Sequence, residues 1–393
     1  MSMNMSGPWN GSLENSSCDH NMSGWEKSMD TMYTYFYLVL FIPGLLLNTT
    51  ALWVLCRYIS KKTKAVIFMI NLSVADLAHT LSLPLRIYYY FTHSWPFGRG
   101  VCLFCFYLKF LNMYAAIVFL VCISVQRCVF LLDPFVARRW RRRYDLLISL
   151  VVWAVVGMAC SPFILMRSSG GGGGSSPQTA RNLSYSYGSN ASRDGCFKDL
   201  PTRRLSRTLA VAMMASAELL GFLIPLMCIL CSSARIARSL YKRQPREPRG
   251  SAARGRVTSV TSGGCPEKSH ERQTDGEKRR ALRMVLSCTA LFLFCFGPYH
   301  VNFLLYLMVS QGIISNCAAR LAIRQFHPVS LCLASLSCCL NPLLYYFLAA
   351  EFRRHLTIRT SSFSSSLLSS PVGSPTHRPA QQRLMSMESN CSE

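Results

Sequence analysis

The sequence predicts an all-α membrane protein: a seven-transmembrane helix bundle followed by a short amphipathic eighth helix. Three observations predict it. Seven apolar runs each approach or exceed the ~20 residues a helix needs to cross the hydrocarbon core. Only 15% of the 393 residues are charged, where a soluble domain carries about a quarter. The basic residues behind the net charge of +24 collect in the gaps between runs. That spacing is a membrane topology signal rather than the one-sided footprint of a nucleic-acid binder.

The runs fall near 33–56, 66–90, 102–132, 145–166, 208–231, 282–309 and 321–348. Residues 1–30 are polar and hold no apolar stretch of the kind a cleaved signal carries. The first run is therefore expected to serve as an uncleaved anchor. Glu14, Asp19, Glu26 and Asp30 precede it with Lys27, whereas Arg57, Lys61, Lys62 and Lys64 follow it. The excess of positive charge marks the inner side, which sets the N-terminus outside and, after seven crossings, the C-terminus inside. Arg138, Arg139, Arg141, Arg142 and Arg143 after the third run, and Lys242, Arg243, Arg246, Arg249, Arg254 and Arg256 after the fifth, agree. Glycosylation triplets give an independent check: Asn4, Asn10, Asn15, Asn21, Asn182 and Asn190 all fall on predicted outer segments. Matches at Asn48, Asn71 and Asn390 fall in spans or the inner tail and are read as chance. The implied location is the plasma membrane, crossed several times.

The predicted organisation is a glycosylated outer segment at 1–32, the membrane domain at 33–348, an amphipathic stretch at 349–360 lying on the inner leaflet, and a Ser-rich inner tail at 361–393. Residues 169–176, SGGGGGSS, are a flexible insertion in an outer loop, and 243–276 read as polar and disordered. Most of the eighteen cysteines lie within runs and behave as small apolar residues.

Several residues within the runs are costly there. Asp76 sits mid-membrane in the second run, where a charge costs at least ~2.5 kcal/mol. It needs a partner or a function; a hydrogen-bonded structural Asp remains open at this stage. Arg127 stands 25 residues after Cys102 on the third run, about 37 Å along one rigid helix. Pro298 in the sixth run and Pro225 in the fifth each remove a backbone donor and kink their helices. Asn341 and Pro342 stand together in the seventh.

The outer halves also carry cations that the positive-inside rule does not account for: Arg86, Lys109, Arg167, Lys198, Arg320 and Arg324. An anionic ligand is one explanation, since guanidinium forks and ammonium charges suit phosphate. Helix capping, or pairing with Glu218, Asp194 and Asp199, is another. Between the cations lie Tyr88, Tyr89, Phe110, Met113, Tyr114, Tyr299, His300, Phe303 and Tyr306, a soft lining able to hold an acyl chain or simply to pack.

Four segments, NLSVADL at 71–77, VQRC at 125–128, FCFGPYH at 294–300 and NPLLYYF at 341–347, together resemble the rhodopsin-like family of G-protein-coupled receptors. The segments CFYLKFLNMYA, HSWPF and CFKDLPTRR further resemble its lysophosphatidylserine receptors. The resemblance implies a disulfide between Cys102 and Cys196, and a second between Cys18 and Cys317. It implies a sodium or proton site at Asp76 with Asn112, Ser337 and Asn341, beside Asn48. It makes Arg127 the dock for a heterotrimeric G protein, and Phe296, Pro298, Pro342 and Tyr345 activation switches. Arrestin and receptor kinases would meet the Ser-rich tail. The ligand would be a lysophospholipid with a serine-like head group, its ammonium facing Glu218 unless Glu218 pairs with Lys109.

The chain also departs from the family pattern. Gln126 replaces the acid that normally precedes Arg127, and Lys278 stands where the sixth helix usually offers another. Two restraints on the resting state are thus expected to be missing, and ligand-free signalling to follow. Ala116 replaces a frequent Ser near the sodium site, and no Tyr follows Pro225 at about two turns. Phe303, three residues after His300, is apolar where nucleotide receptors of this branch tend to be basic. An enzyme is not expected, because no span carries a nucleophile or metal signature, and no cofactor is expected beyond an allosteric sodium ion. No lysine after Lys278 can carry a retinal Schiff base. The remaining alternatives are a nucleotide receptor and a receptor active without ligand.

Overall fold

The structure, a computed structural model, describes residues 22–59, 66–168, 196–197, 207–242, 266–310, 314 and 316–348. These residues form helices α1 (Met22–Val54), α2 (Val66–Thr92), α3 (Gly98–Leu132), α4 (Pro134–Arg139), α5 (Arg142–Ser168), α6 (Arg207–Glu218), α7 (Ile224–Tyr241), α8 (Pro266–Ser310) and α9 (Cys317–Leu348). A π-helical turn, Leu55–Ile59, extends α1, and a second, Leu219–Leu223, joins α6 to α7. Seven of the resulting segments are long and apolar enough to span a bilayer. Their outward faces carry exposed apolar side chains, among them Val39, Ile42 and Leu46 on α1 and Leu150, Val155 and Met158 on α5. Such faces are stable against lipid and costly against water.

Local chemistry sets the helix ends. Asp133 caps α4, its carboxylate accepting from the backbone N–H of Phe135 at 3.1 Å and of Val136 at 3.2 Å, with Pro134 in the first turn. Asn316 caps α9 in the same way, accepting from Ala318 at 2.9 Å and Ala319 at 3.3 Å. The π-turn before Pro225 lets the chain absorb the donor that proline lacks. At Gly221 in that turn, an added Cβ would lie 2.6 Å from the Tyr114 ring, so α3 and the fifth span meet at contact distance only because no side chain intervenes.

The helix α3 runs through the middle, packed against α2, α5, α7 and α8, while α9 packs against α8, α1 and α2. The inner core joins Leu72, Ala116, Phe119, Ile123, Ile229, Val285, Phe292 and Phe296. A second, outer core is aromatic: Tyr33, Tyr37, Tyr89, Tyr90, Trp95 and Phe197 gather around the Cys102–Cys196 disulfide.

Two boundaries differ from the sequence reading. The helix α1 begins at Met22, ahead of the apolar run, because its first turns still bury Met29, Tyr33 and Tyr37. Residues 266–276, expected to be disordered, are helical and continuous with the sixth span. Glu267, Lys268, Glu271 and Arg272 are good helix formers, and extending an existing helix avoids the cost of nucleation. The amphipathic stretch 349–360, the tail, the glycine-rich insertion, Lys198 and the six glycosylation triplets, Asn4 to Asn190, lie outside the described residues.

Candidate functional site

The outer end of the bundle holds a buried and a half-buried cation in one aromatic wall. Arg86 on α2 is only 2% exposed. Its guanidinium donates to the backbone carbonyl of Cys105 and lies 4.4 Å from the Phe197 ring centroid. Phe197 is placed there by its neighbour Cys196, which the disulfide staples to Cys102 at the start of α3. On α3, Lys109 donates to the Tyr37 hydroxyl at 3.2 Å and stands 5.9 Å from the Tyr37 ring and 6.0 Å from that of Tyr33. Tyr90 bridges the two halves, with ring centroids 6.0 Å from Phe197 and 4.7 Å from Tyr33. Two carboxylates here meet histidine rings, Asp30 at His93 and Glu218 at His300; among the described residues no carboxylate answers Arg86 or Lys109. Each cation is held by a neutral oxygen and aromatic faces, which leaves positive potential at this end.

Glu218 therefore does not pair with Lys109. Its carboxylate lies 3.0 Å from Nδ1 of His300, across the interface between α6 and α8. His300 is stacked on Phe222 at 4.9 Å and edge-on to Tyr114 and Tyr299. Tyr299 in turn stacks on Phe303 at 5.9 Å. Phe110 and Met113 are buried below Lys109. The structure thus brings Arg86, Lys109, Phe110, Met113, Glu218, Tyr299, His300 and Phe303 to the same outer half. Arg324 is exposed on the first turns of α9. Arg167 lies in the last turn of α5, its side chain outside the described residues. Tyr88, counted as lining from the sequence, points away and meets Phe97 edge-on at 5.3 Å. Tyr89 is buried between Trp95 and Phe197.

Sequence reasoning missed three members of this site. Tyr37 came from a run read only as a membrane anchor, Phe197 from a loop without periodicity, and His327 from α9. His327 lies 3.2 Å from Asn302 and stacks with Tyr306. His79 was missed as well, although it stands one turn from Asp76. It lines a cavity of about 10 Å³ with Lys109, Asn112 and Ser335, room for roughly one water.

Below that cavity Asp76 ties three helices together. One carboxylate oxygen accepts from Asn112 of α3 at 2.8 Å and the other from Asn341 of α9 at 2.9 Å. Asn48 donates to the Cys338 carbonyl at 2.7 Å, and Tyr345 to that of Met69 at 3.3 Å. For a sodium ion the fit is partial. Asp76 offers carboxylate oxygens and Asn341 a buried amide oxygen with no hydrogen-bond partner among the described residues. The Ser337 hydroxyl already donates to the Ala334 carbonyl at 2.7 Å, and Ala116 supplies no oxygen.

At the inner end, Phe296 is fully buried against Phe292, and Arg127 is half-buried on α3. The side chain that precedes Arg127 is held from another helix. Asp145 of α5 is completely buried and accepts from the Gln126 amide at 2.7 Å and from the Trp140 indole at 2.7 Å.

Cys102 and Cys196 are bonded as the resemblance implied. Cys317 is also in a disulfide, whose partner lies outside the described residues.

Comparison with known proteins agrees with this geometry. The family profile "7 transmembrane receptor (rhodopsin family)" matches residues 47–345. A mouse protein that bears the name of a "putative" purinoceptor is 49% identical over 340 residues, covering 86% of this chain and 90% of the relative. Human "Probable G-protein coupled receptor 174" is 43% identical over 326 residues, covering 83% and 85%. Human "Lysophosphatidic acid receptor 6" is 28% identical over 352 residues, covering 89% of each. The profile, the seven spans and the placement of Asp76, Arg127, Pro298 and Asn341 within them make this chain a member of the rhodopsin family of seven-transmembrane, G-protein-coupled receptors, a family of receptors and not of enzymes.

Proposed function

We propose that the receptor binds an anionic lysophospholipid, lysophosphatidylserine in particular, at its outer end. The observation that carries this reading is the pair of cations, buried Arg86 and half-buried Lys109, that no carboxylate neutralises among the described residues. A phosphate would give both a charge-assisted partner. Phe110, Met113, Tyr299 and Phe303 offer the apolar path an acyl chain needs, and Glu218, on leaving His300, an acceptor for a serine ammonium. Arg167 and Arg324 would meet the carboxylate or the phosphate at the rim. One relative is named for lysophosphatidic acid and another as a purinoceptor. Against a nucleotide speaks Phe303, an apolar ring stacked on Tyr299 where a phosphate-binding cation would be useful.

On this reading the N-terminus is extracellular, Cys18 is the partner of Cys317, and Arg127 meets the G protein from the cytoplasm. Arrestin and receptor kinases act on the Ser-rich tail. A sodium ion, if bound, would be held by Asp76 with the Asn341 oxygen and would supply a counter-charge to the buried carboxylate.

The test is a panel of lysophosphatidylserine, lysophosphatidic acid, ADP and UDP against cells expressing the receptor, read by dissociation of G-protein subunits. Activation by lysophosphatidylserine at the lowest concentration supports the proposal. Activation by a nucleotide alone overturns it.

A further inference from the structure

Asp145 is the one acid of the inner half that is wholly buried among the described residues. Burying a carboxylate is expensive unless donors converge on it, and here two do, from different elements. The Gln126 amide reaches it from α3 at 2.7 Å, and the Trp140 indole, just past the short helix α4, reaches the same oxygen at 2.7 Å. Trp140 is fixed further by edge contacts with Phe130 of α3 and Tyr144 of α5, each with centroids 5.6 Å apart. One carboxylate thus clasps α3, α4 and α5.

What the clasp holds bears on signalling. Gln126 immediately precedes Arg127, so fixing its side chain toward α5 fixes the roll of α3 at the arginine. The short helix α4, hung from Trp140, carries Phe135, which is 83% exposed. A large aromatic ring standing out beside a cationic surface is the composition of a protein-docking anchor. Its value to a partner depends on how little ordering is left to do on contact.

We infer that Asp145 is a positioning residue for G-protein coupling, setting Arg127 through Gln126 and Phe135 through Trp140. Gln126→Glu alone sets carboxylate against carboxylate and breaks the clasp. Asp145→Leu removes the acceptor of both donors. Asp145→Asn keeps it, because one amide oxygen can stand where Oδ1 accepts from both the Gln126 amide and the Trp140 indole.

The experiment uses the full-length receptor at matched surface density. Hydrogen exchange over residues 134–140 of the purified receptor reports the clasp without any agonist. Maximal G-protein activation, with lysophosphatidylserine, lysophosphatidic acid or ADP, reports coupling, and half-maximal concentration reports the outer site. We expect exchange at least tenfold faster and maximal activation at least threefold lower in Asp145→Leu and Gln126→Glu. Asp145→Asn should leave both near the parent values, with half-maximal concentration unchanged throughout. Exchange that does not move shows there is no clasp. Exchange that moves while maximal activation stays constant reduces Asp145 to a structural residue and overturns the inference. Should none of the three compounds activate the parent receptor, the ligand reading fails; the inference is then judged on basal signal per receptor, where equality of all variants counts against it.

Discussion

Glu218 and His300 lie 3.0 Å apart, carboxylate oxygen to ring nitrogen, and join the fifth and sixth spans in the buried outer half. The pair sits beside the apolar path and away from the Lys109–Tyr37 bond, so among the described residues this acid is not neutralised by Arg86 or Lys109. This gives the site a separable negative pole. A ligand carrying both phosphate and ammonium can use the two poles; a ligand with phosphate alone can use only one.

Glu218→Gln should therefore discriminate between lysophospholipids. The variant keeps a hydrogen bond to His300 and loses the charge. Bonds to charged groups contribute about 1.5–3 kcal/mol, roughly tenfold to more than a hundredfold in affinity. Potency of lysophosphatidylserine should fall at least tenfold, with lysophosphatidic acid changed less than threefold. Concentration–response curves for the two lipids check this; parallel losses would assign Glu218 to packing between α6 and α8.

Arg86→Ala and Lys109→Ala should each lower lysophosphatidylserine potency tenfold or more, by the same magnitude of charged bond. Arg99→Ala, at the exposed start of α3, is the control and should change it less than twofold. Equal effects at all three positions would mean that the anion responds to the general field of this end and not to a built pair.

Gly221→Ala tests the contact between the π-turn and α3. The added methyl meets Tyr114 at 2.6 Å, and overpacking of this kind costs typically ~1–3 kcal/mol. The melting temperature of the purified receptor should drop, and Tyr114→Leu in the same chain should recover most of it. If the single variant melts like the parent, the fifth span has room that this structure denies.

The spans were legible because they follow from local pattern, and the Cys102–Cys196 pair because the family resemblance implied it. Hydrophobic run length needs no partner to be read. Relationships between helices were not legible. Gln126 read as a missing acid, since the sequence cannot tell that Asp145, on a different helix, turns toward it. The sequence left two roles open for Glu218, and neither was its bond to His300. Tyr37 and Phe197 each looked ordinary alone and matter only because Tyr90 brings their rings into one wall. Helix 266–276 was misjudged for another reason: polarity signals solvent exposure, and a helix that continues out of the membrane is exposed without being disordered.

The three-helix junction at Asp76 yields the last prediction. Asn112 and Asn341 each hold one oxygen of the same carboxylate, so their energies are coupled through a shared partner. Removing either leaves the buried charge half-satisfied, and removing the second takes away the remaining amide donor. The double variant Asn112→Ala/Asn341→Ala should lose more thermal stability than the sum of the singles, by ~0.5–3 kcal/mol, the range for residues in one network. Asp76→Asn works in the opposite sense on this background. With both donors gone, a neutral amide is cheaper to bury than a carboxylate, so adding Asp76→Asn to the double variant should recover stability. In the parent the same change should be destabilising, because one of its two new contacts would set N–H against N–H. Thermal unfolding of the parent and all these variants in detergent supplies the cycle. If Asp76→Asn has the same sign on both backgrounds, the carboxylate is not the shared acceptor, and α2, α3 and α9 are held together by packing alone.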